Sequence, residues 1–219
     1  MKKFSSILIL IISFCNCFPQ VDLEDSSANL KDEIYYRFKQ HLGEEIPPSD
    51  LLTAEGDVYN FTHLDKKLIL LDFWATWCGA CVNHIQDQEE AYVRLKEQYG
   101  SSFEWINISV DKDTLAWKNM VNTKGKAGIN LIGNIDYIQK TYNIEHYPTY
   151  VMLDENNKII GFDLANLTWG PMLEYLICKG FEGVNCSDAY KSIFIPGSKK
   201  SSPEFMQWME NYYKNKEYY

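Results

Sequence analysis

The chain has 219 residues, of which 46% are hydrophobic and 23% charged. That is the make-up of an ordinary globular protein and excludes collagen-like, low-complexity and wholly disordered chains. Thirty acidic against 21 basic side chains leave a formal charge of −9, which argues against nucleic acid as a partner, because phosphate binding needs a basic surface. The length suits one domain of about 150 residues with extensions. The six cysteines fall into three close pairs, 15/17, 78/81 and 178/186, too few for a disulfide scaffold in a chain this long.

Met1-Lys2-Lys3 is followed by an uncharged run from Phe4 to Phe14. Two lysines before a short apolar stretch predict a secretory signal peptide over residues 1–17. The run is well short of the roughly 20 residues that span a bilayer. Cys15 and Cys17 sit where this leader ends, and Cys17 is the better-placed candidate for lipid attachment. Neither has the small residues that usually precede a lipidated cysteine, so lipid anchoring and plain secretion both stay open. Removing residues 1–17 takes away two lysines and no acids, and the charge becomes −11. So acidic a surface is repelled by anionic lipid, and membrane attachment would rest on an N-terminal lipid alone. In an exported chain disulfides persist.

Residues 18–30 are polar and read as a linker. Residues 31–42 suit a short amphipathic helix with Ile34, Tyr35, Phe38 and Leu42 on one face, stopped by Gly43 and Pro47-Pro48. Leu51–Thr53 and Val58–Phe61 flank a Gly-containing turn and read as a β-hairpin. Leu68–Trp74 is a continuous apolar run suited to a strand covered on both faces. A helix after Cys78 carries Val82, Ile85, Tyr92, Leu95 and Tyr99 and ends at Gly100. Phe103–Val110 reads as a strand, Thr114–Val121 as a helix capped by Asp113 or Thr114, Lys124–Gly128 as a flexible basic loop, and Ile135–Tyr142 as a further helix. Tyr147–Leu153 and Lys158–Phe162 form a second hairpin. The order β-α-β-α-β-β implies an α/β sheet with helices on its faces. Trp169–Ile177 and Pro203–Tyr213 read as two further helices.

Leu71 to Cys81 reads Leu-Asp-Phe-Trp-Ala-Thr-Trp-Cys-Gly-Ala-Cys. A buried strand ends, and a Cys-x-x-Cys pair opens a helix. Cysteines three apart at a helix start share one face and can close a small disulfide ring. The first lies beside unpaired backbone N–H groups and the positive end of the helix dipole, which favour thiolate over thiol. Cys78 is then the nucleophile, and Cys81 resolves the mixed disulfide.

This stretch resembles the active-site strand and turn of thioredoxins. Ser49 to Phe162, about half the chain, is similar to the TlpA/ResA-type thiol-disulfide oxidoreductases of bacterial envelopes. Shared with that group are the leader, the hairpin before the active-site strand and a helical insertion at roughly 112–143. The resemblance implies a thioredoxin-like fold with a central mixed sheet flanked by helices. It implies a domain at 49–163, preceded by a linker and short helix (18–48) and followed by a C-terminal extension (164–219). It implies a periplasmic or envelope location, a monomer, no cofactor beyond the Cys78–Cys81 redox disulfide, and no metal. Its partners would be protein thiols and disulfides and a membrane or soluble thiol donor, with reduction as the usual direction. Oxidation or isomerisation stays open, since redox poise depends on relative thiolate stability.

The resemblance also assigns residues. Tyr147-Pro148-Thr149 matches the family's cis-proline loop, against the alternative of an ordinary turn proline. Asp72 matches the buried acid behind the second cysteine. Ionised burial would be costly, so its pKa should rise and make it a proton relay to Cys81, unless it faces water at the strand end. Trp77 would shield Cys78, and Trp77, Gly79, Ala80, Tyr147 and Pro148 would meet substrate. The chain departs from many relatives in having Gly79-Ala80 between the cysteines, where proline is common second, and Val82 where a basic residue is common. His84 and Glu89 read as surface residues, and His146 as a solvated loop histidine or a modulator of Cys78. The competing class is a soft-metal site on Cys78, Cys81 and His146.

In the tail, Ser201-Ser202-Pro203-Glu204 has the N-cap and N1 proline of a helix start. Taken as the family's closing helix, it makes residues 164–198 an insertion stapled by a Cys178–Cys186 disulfide. The alternative is that Trp169–Ile177 closes the fold. Of four Asn-x-Ser/Thr sites (Asn60, Asn107, Asn166, Asn185), Asn107 lies in a core strand, which points to chance occurrence.

Overall fold

The structure, a computed structural model, describes residues 23–47, 51–164, 171–198 and 200–216. The predicted leader with Cys15 and Cys17, and also Asn166 and Trp169, lie outside the described residues. Residues Ile34–Tyr219 form one compact unit. No helix among the described residues is long and apolar enough to cross a membrane.

The first helix, α1, runs from Leu23 to Lys39. It therefore takes in residues 23–30, which the sequence reading gave to a linker. The expected hairpin is present as β1 (Leu51–Leu52) and β2 (Val58–Tyr59). The central strand β3 (Leu68–Trp74) is buried at all seven positions, as a continuous apolar run requires. Beyond it come α2 (Gly79–Asn83) and α3 (Ile85–Tyr99), separate helices broken at His84 rather than the single helix expected. Gly100 ends α3 at φ 58°, ψ −132°, where only glycine is at ease.

Strand β4 (Phe103–Ser109) follows. Helix α4 (Thr114–Lys124) is capped by Asp113, whose carboxylate accepts from the N–H groups of Leu115 and Ala116 at 3.0 Å each. The region read as purely helical also contains a strand, β5 (Ile129–Ile132), parallel to β4. At four residues, between Gly128 and Gly133, it is too short for a periodic signal. Then come α5 (Ile135–Tyr142), β6 (Thr149–Asp154) and β7 (Ile159–Leu164). The sheet order is β2-β1-β5-β4-β3-β6-β7, with β3–β4–β5 parallel and the other neighbours antiparallel.

Alternate residues of β3 point to opposite faces. Ile69, Leu71 and Phe73 pack with Trp117 of α4 and Ile138 of α5. Leu68 and Leu70 pack with Ala91 and Leu95 of α3 and with α6 (Met172–Phe181). Helix α6 buries Leu173, Tyr175, Leu176 and Ile177. It is the helix that follows β7 and covers the sheet. Helix α8 (Pro203–Lys216) instead packs outside α6, with Phe205 and Trp208 at 4.9 and 5.1 Å from the Tyr175 ring. The closing helix is thus the earlier of the two candidates: α6 buries four large apolar side chains, whereas among the described side chains of α8 only Phe205 is buried.

The expected Cys178–Cys186 staple is not formed, and both are free thiols. Cys178 Sγ faces Glu182 Oε1 at 3.9 Å on the surface of α6. Cys186 opens α7 (Cys186–Ser192) and is fully buried, with its sulfur 3.7 Å from Met152 Sδ. Packing into the sheet, against Gly161, takes the second sulfur away from the first.

Candidate active site

At the C-terminal end of β3 the chain turns through Ala75–Trp77 and enters α2 with Cys78 as N-cap (φ −82°, ψ 99°). Cys78 Sγ accepts from the N–H of Cys81 at 3.1 Å, an orphan donor of the first helical turn. The two cysteines are joined as a disulfide with Cα atoms 5.3 Å apart. Cys78 and Cys81 are both nearly buried, at 7% and 6% exposed.

The loop before β6 closes over this disulfide. The Tyr147–Pro148 peptide is cis, and the Tyr147 carbonyl oxygen lies 3.6 Å from Cys78 Sγ. The Trp77 and Tyr147 rings meet edge-on at 5.7 Å. Trp77 is 62% exposed, so it stands beside the disulfide as an open aromatic face. Gly79 and Ala80 are exposed on the first turn of α2. His146 turns elsewhere: its Nε2 sits 2.9 Å from Asp163 Oδ1, and Asp163 also accepts from Arg37 Nε at 2.6 Å. His84 lies 2.9 Å from Asp87, and Glu89 is exposed. Among the described residues no group of three or more His, Cys, Asp or Glu side chains is placed to hold a metal ion.

Asp72 is buried in β3, as expected, and it has a partner that sequence reasoning missed. Lys126 Nζ donates to Asp72 Oδ2 at 2.9 Å, and both side chains are 2% exposed. The ammonium also reaches Gln88 Oε1 and sits 4.5 Å over the Trp74 ring. Gln88 donates in turn to Asn107, whose Nδ2 donates to the Ala127 carbonyl at 2.7 Å. Asp72 Oδ1 has no hydrogen-bond partner among the described residues. Burial pushes the Asp72 carboxyl up, and Lys126 pulls it back in part. Burial pushes the Lys126 amine down, and Asp72 opposes it. The two groups share one hydrogen bond, so their titrations are coupled.

The loop read as flexible and basic is therefore held in place through Lys126. Gly125 and Gly128, at φ 67° and 91°, turn the chain so that Lys126 points inward. The available signal was indirect. An acid in a strand buried on both faces needs a cation, and the basic loop was a source of one.

A family model described as Thioredoxin-like matches residues 65–159. The thiol-disulfide oxidoreductase ResA of Bacillus anthracis is 30% identical over 138 residues, which cover 63% of this chain and 78% of that protein. The thioredoxin-like protein YneN of Bacillus subtilis is 26% identical over 137 residues, covering 61% and 78%. Among solved structures, the thioredoxin domain of a thiol-disulfide oxidoreductase from Bacteroides vulgatus superimposes with a TM-score of 0.52 at 19% identity, over 61% of this chain and 95% of that one. A thiol:disulfide interchange protein from Bacteroides sp. gives a TM-score of 0.52 at 19% identity, over 61% and 88%. At such identity the structural likeness is one of fold, and the curated relatives carry the assignment. The chain belongs to the thioredoxin-like thiol-disulfide oxidoreductases of the ResA kind.

Proposed function

We propose that the protein reduces disulfides of exported proteins in the bacterial envelope, with Cys78 as nucleophile and Cys81 as resolving thiol. The observation that carries this is the seat of Cys78: its sulfur accepts the Cys81 N–H and lies against the Tyr147 carbonyl, beside an exposed Trp77. A thiolate there is stabilised by the helix start. It attacks one sulfur of a substrate disulfide, forming a mixed disulfide and releasing the first substrate thiolate. Cys81 then gives its proton to Asp72 and attacks Cys78 Sγ, which releases the second substrate thiolate and leaves Cys78–Cys81 oxidised. Two electrons pass to the substrate, and a membrane or soluble thiol donor restores the dithiol.

Trp77, Gly79, Ala80 and the Tyr147–Pro148 backbone form the surface that a substrate segment would meet. Asp72 has one oxygen without a hydrogen-bond partner among the described residues and Lys126 on the other, and burial raises its carboxyl pKa, the direction a proton acceptor needs. Export by the 1–17 leader, with or without a lipid on Cys17, places a monomer where such substrates exist.

The test is trapping. Cys81→Ser protein should accumulate mixed disulfides on Cys78 when incubated with envelope extract, and Cys78→Ser should accumulate none. Equilibration with dithiothreitol should give a potential nearer the roughly −270 mV of thioredoxin than the roughly −120 mV of DsbA. A potential at the DsbA end would make the protein an oxidase.

A further inference from the structure

We infer that Asp111 is a positioning residue for Cys78, tying down the three-residue turn that carries Trp77 and Cys78 off the end of β3. The inference rests on Cys78 being the attacking thiol.

Asp111 is two residues past the end of β4 and is 6% exposed. Its carboxylate is spent on its own strand and on the turn that follows β3. Oδ2 accepts from the Thr76 N–H at 2.9 Å and from Ser109 Oγ at 2.6 Å, and Oδ1 accepts from Thr76 Oγ1 at 2.7 Å. Ser109 Oγ in turn accepts from the Asp111 N–H at 3.1 Å, which locks the carboxylate to its own strand. Just before it, the Val110 N–H donates to the Trp74 carbonyl at 3.0 Å, extending the β3–β4 ladder to the last residue of β3. Thr76 is thus held through both backbone and side chain.

What Thr76 holds is the geometry of Cys78. Only Ala75, Thr76 and Trp77 separate β3 from the cysteine, and the Cys78 N–H closes the turn onto the Ala75 carbonyl at 3.1 Å. If Thr76 is released, Cys78 can leave the position in which its sulfur takes the Cys81 N–H. Hydrogen bonds to a charged group are stronger than neutral ones, which is why a carboxylate makes an effective anchor here. Two consequences of that carboxylate oppose each other. As an anchor it favours the Cys78 thiolate by keeping the N–H aimed at it. As a buried negative charge it disfavours a second anion nearby. Removal of the side chain tells them apart by the sign of the change.

The experiment follows alkylation of Cys78 by iodoacetamide in the reduced full-length protein, read on the Cys78 peptide by mass spectrometry from pH 5 to 9. Asp111→Ala should slow Cys78 about tenfold at pH 7, the worth of one charged hydrogen bond, and move the reactivity midpoint to higher pH. Asp111→Asn, which can still accept from the Thr76 N–H and donate to Thr76 Oγ1 but only through neutral hydrogen bonds, should slow Cys78 less than Asp111→Ala does. Thr76→Val loses only the hydroxyl and should fall between them. Asp113→Ala, which removes the cap of α4 and lowers thermal stability without touching Thr76, should leave the Cys78 profile at the parental value. A parental profile in Asp111→Ala, or a midpoint that moves to lower pH, would overturn the inference. If that variant does not fold, a parental profile in Thr76→Val overturns it instead. Alkylation of Cys81 ahead of Cys78 in the unsubstituted protein would remove the nucleophile assignment, and this inference with it.

Discussion

Lys126→Met isolates the buried charge beneath the site. The Nζ–Oδ2 distance is 2.9 Å with both side chains 2% exposed, so the methionine leaves Asp72 as a carboxylate with no cation in an apolar setting. Removing one member of such a pair costs about 3–5 kcal/mol. Proton uptake sets a ceiling. Holding a carboxyl of ordinary pKa near 3.9 neutral at pH 7 costs about 4 kcal/mol, at about 1.4 kcal/mol per pH unit. The expected loss at pH 7 is thus about 3–4 kcal/mol, a fall in Tm of roughly 6–16 °C for a domain of this size. Burial already raises the Asp72 carboxyl, with Lys126 opposing, so the substitution raises it further above its unfolded value. A raised folded-state pKa gives stability that is present at low pH and lost as pH rises through it. The deficit relative to the parent should therefore shrink to about 1.5 kcal/mol at pH 5. Urea unfolding at pH 5 and pH 7 measures both. The double variant Asp72→Leu, Lys126→Met should regain most of the loss, because apolar replacement of a buried pair is about neutral. A Lys126→Met deficit below about 1 kcal/mol, or one of the same size at both pH values, would refute the pairing.

Other parts of the fold make separate predictions. A disulfide map of the oxidised protein should contain the 78–81 link and no 178–186 link, and Cys186, whose thiol is pushed well up by burial, should alkylate only after unfolding. A Cβ at Gly161 would run into Cys186 and Leu164, so Gly161→Ala should cost about 1–3 kcal/mol by overpacking, and Cys186→Ala in the same chain should relieve part of it. Glu174, buried on α6, accepts from Arg94 Nη2 at 2.7 Å and Tyr212 Oη at 2.9 Å. Glu174→Ala should cost about 1.5–3 kcal/mol and lower hydrogen-exchange protection across α8 while leaving that of β3 in place.

Much of the site was legible because its chemistry is written in adjacent residues. The run from Leu68 to Trp74, the Cys78/Cys81 spacing and Pro148 each act through local geometry: a strand buried on both faces, a helix start, and a strand entry that lacks an N–H. What was not legible depends on contacts distant along the chain. Lys126 meets Asp72 across 54 residues, and in sequence it is one lysine among the glycines of a polar loop. Asp111 meets Thr76 across 35 residues, and nothing in either residue's neighbours announces the contact. The four-residue β5 exists because β4 offers it an edge, not because its own pattern demands a strand.

The amino-acid sequence by itself determined the fold class, the central strand and the redox-active pair, since hydrophobic runs, caps and a three-residue cysteine spacing are local properties. Tertiary structure alone decided which tail helix covers the sheet, that Cys178 and Cys186 stay apart, and what stands against Asp72 and Thr76. The apolar face of α6 competes successfully for the sheet, and Cys186 is drawn into the core by Met152 and Gly161. Such outcomes turn on the free energy of burying one surface rather than another, and that comparison exists only once the chain has closed on itself.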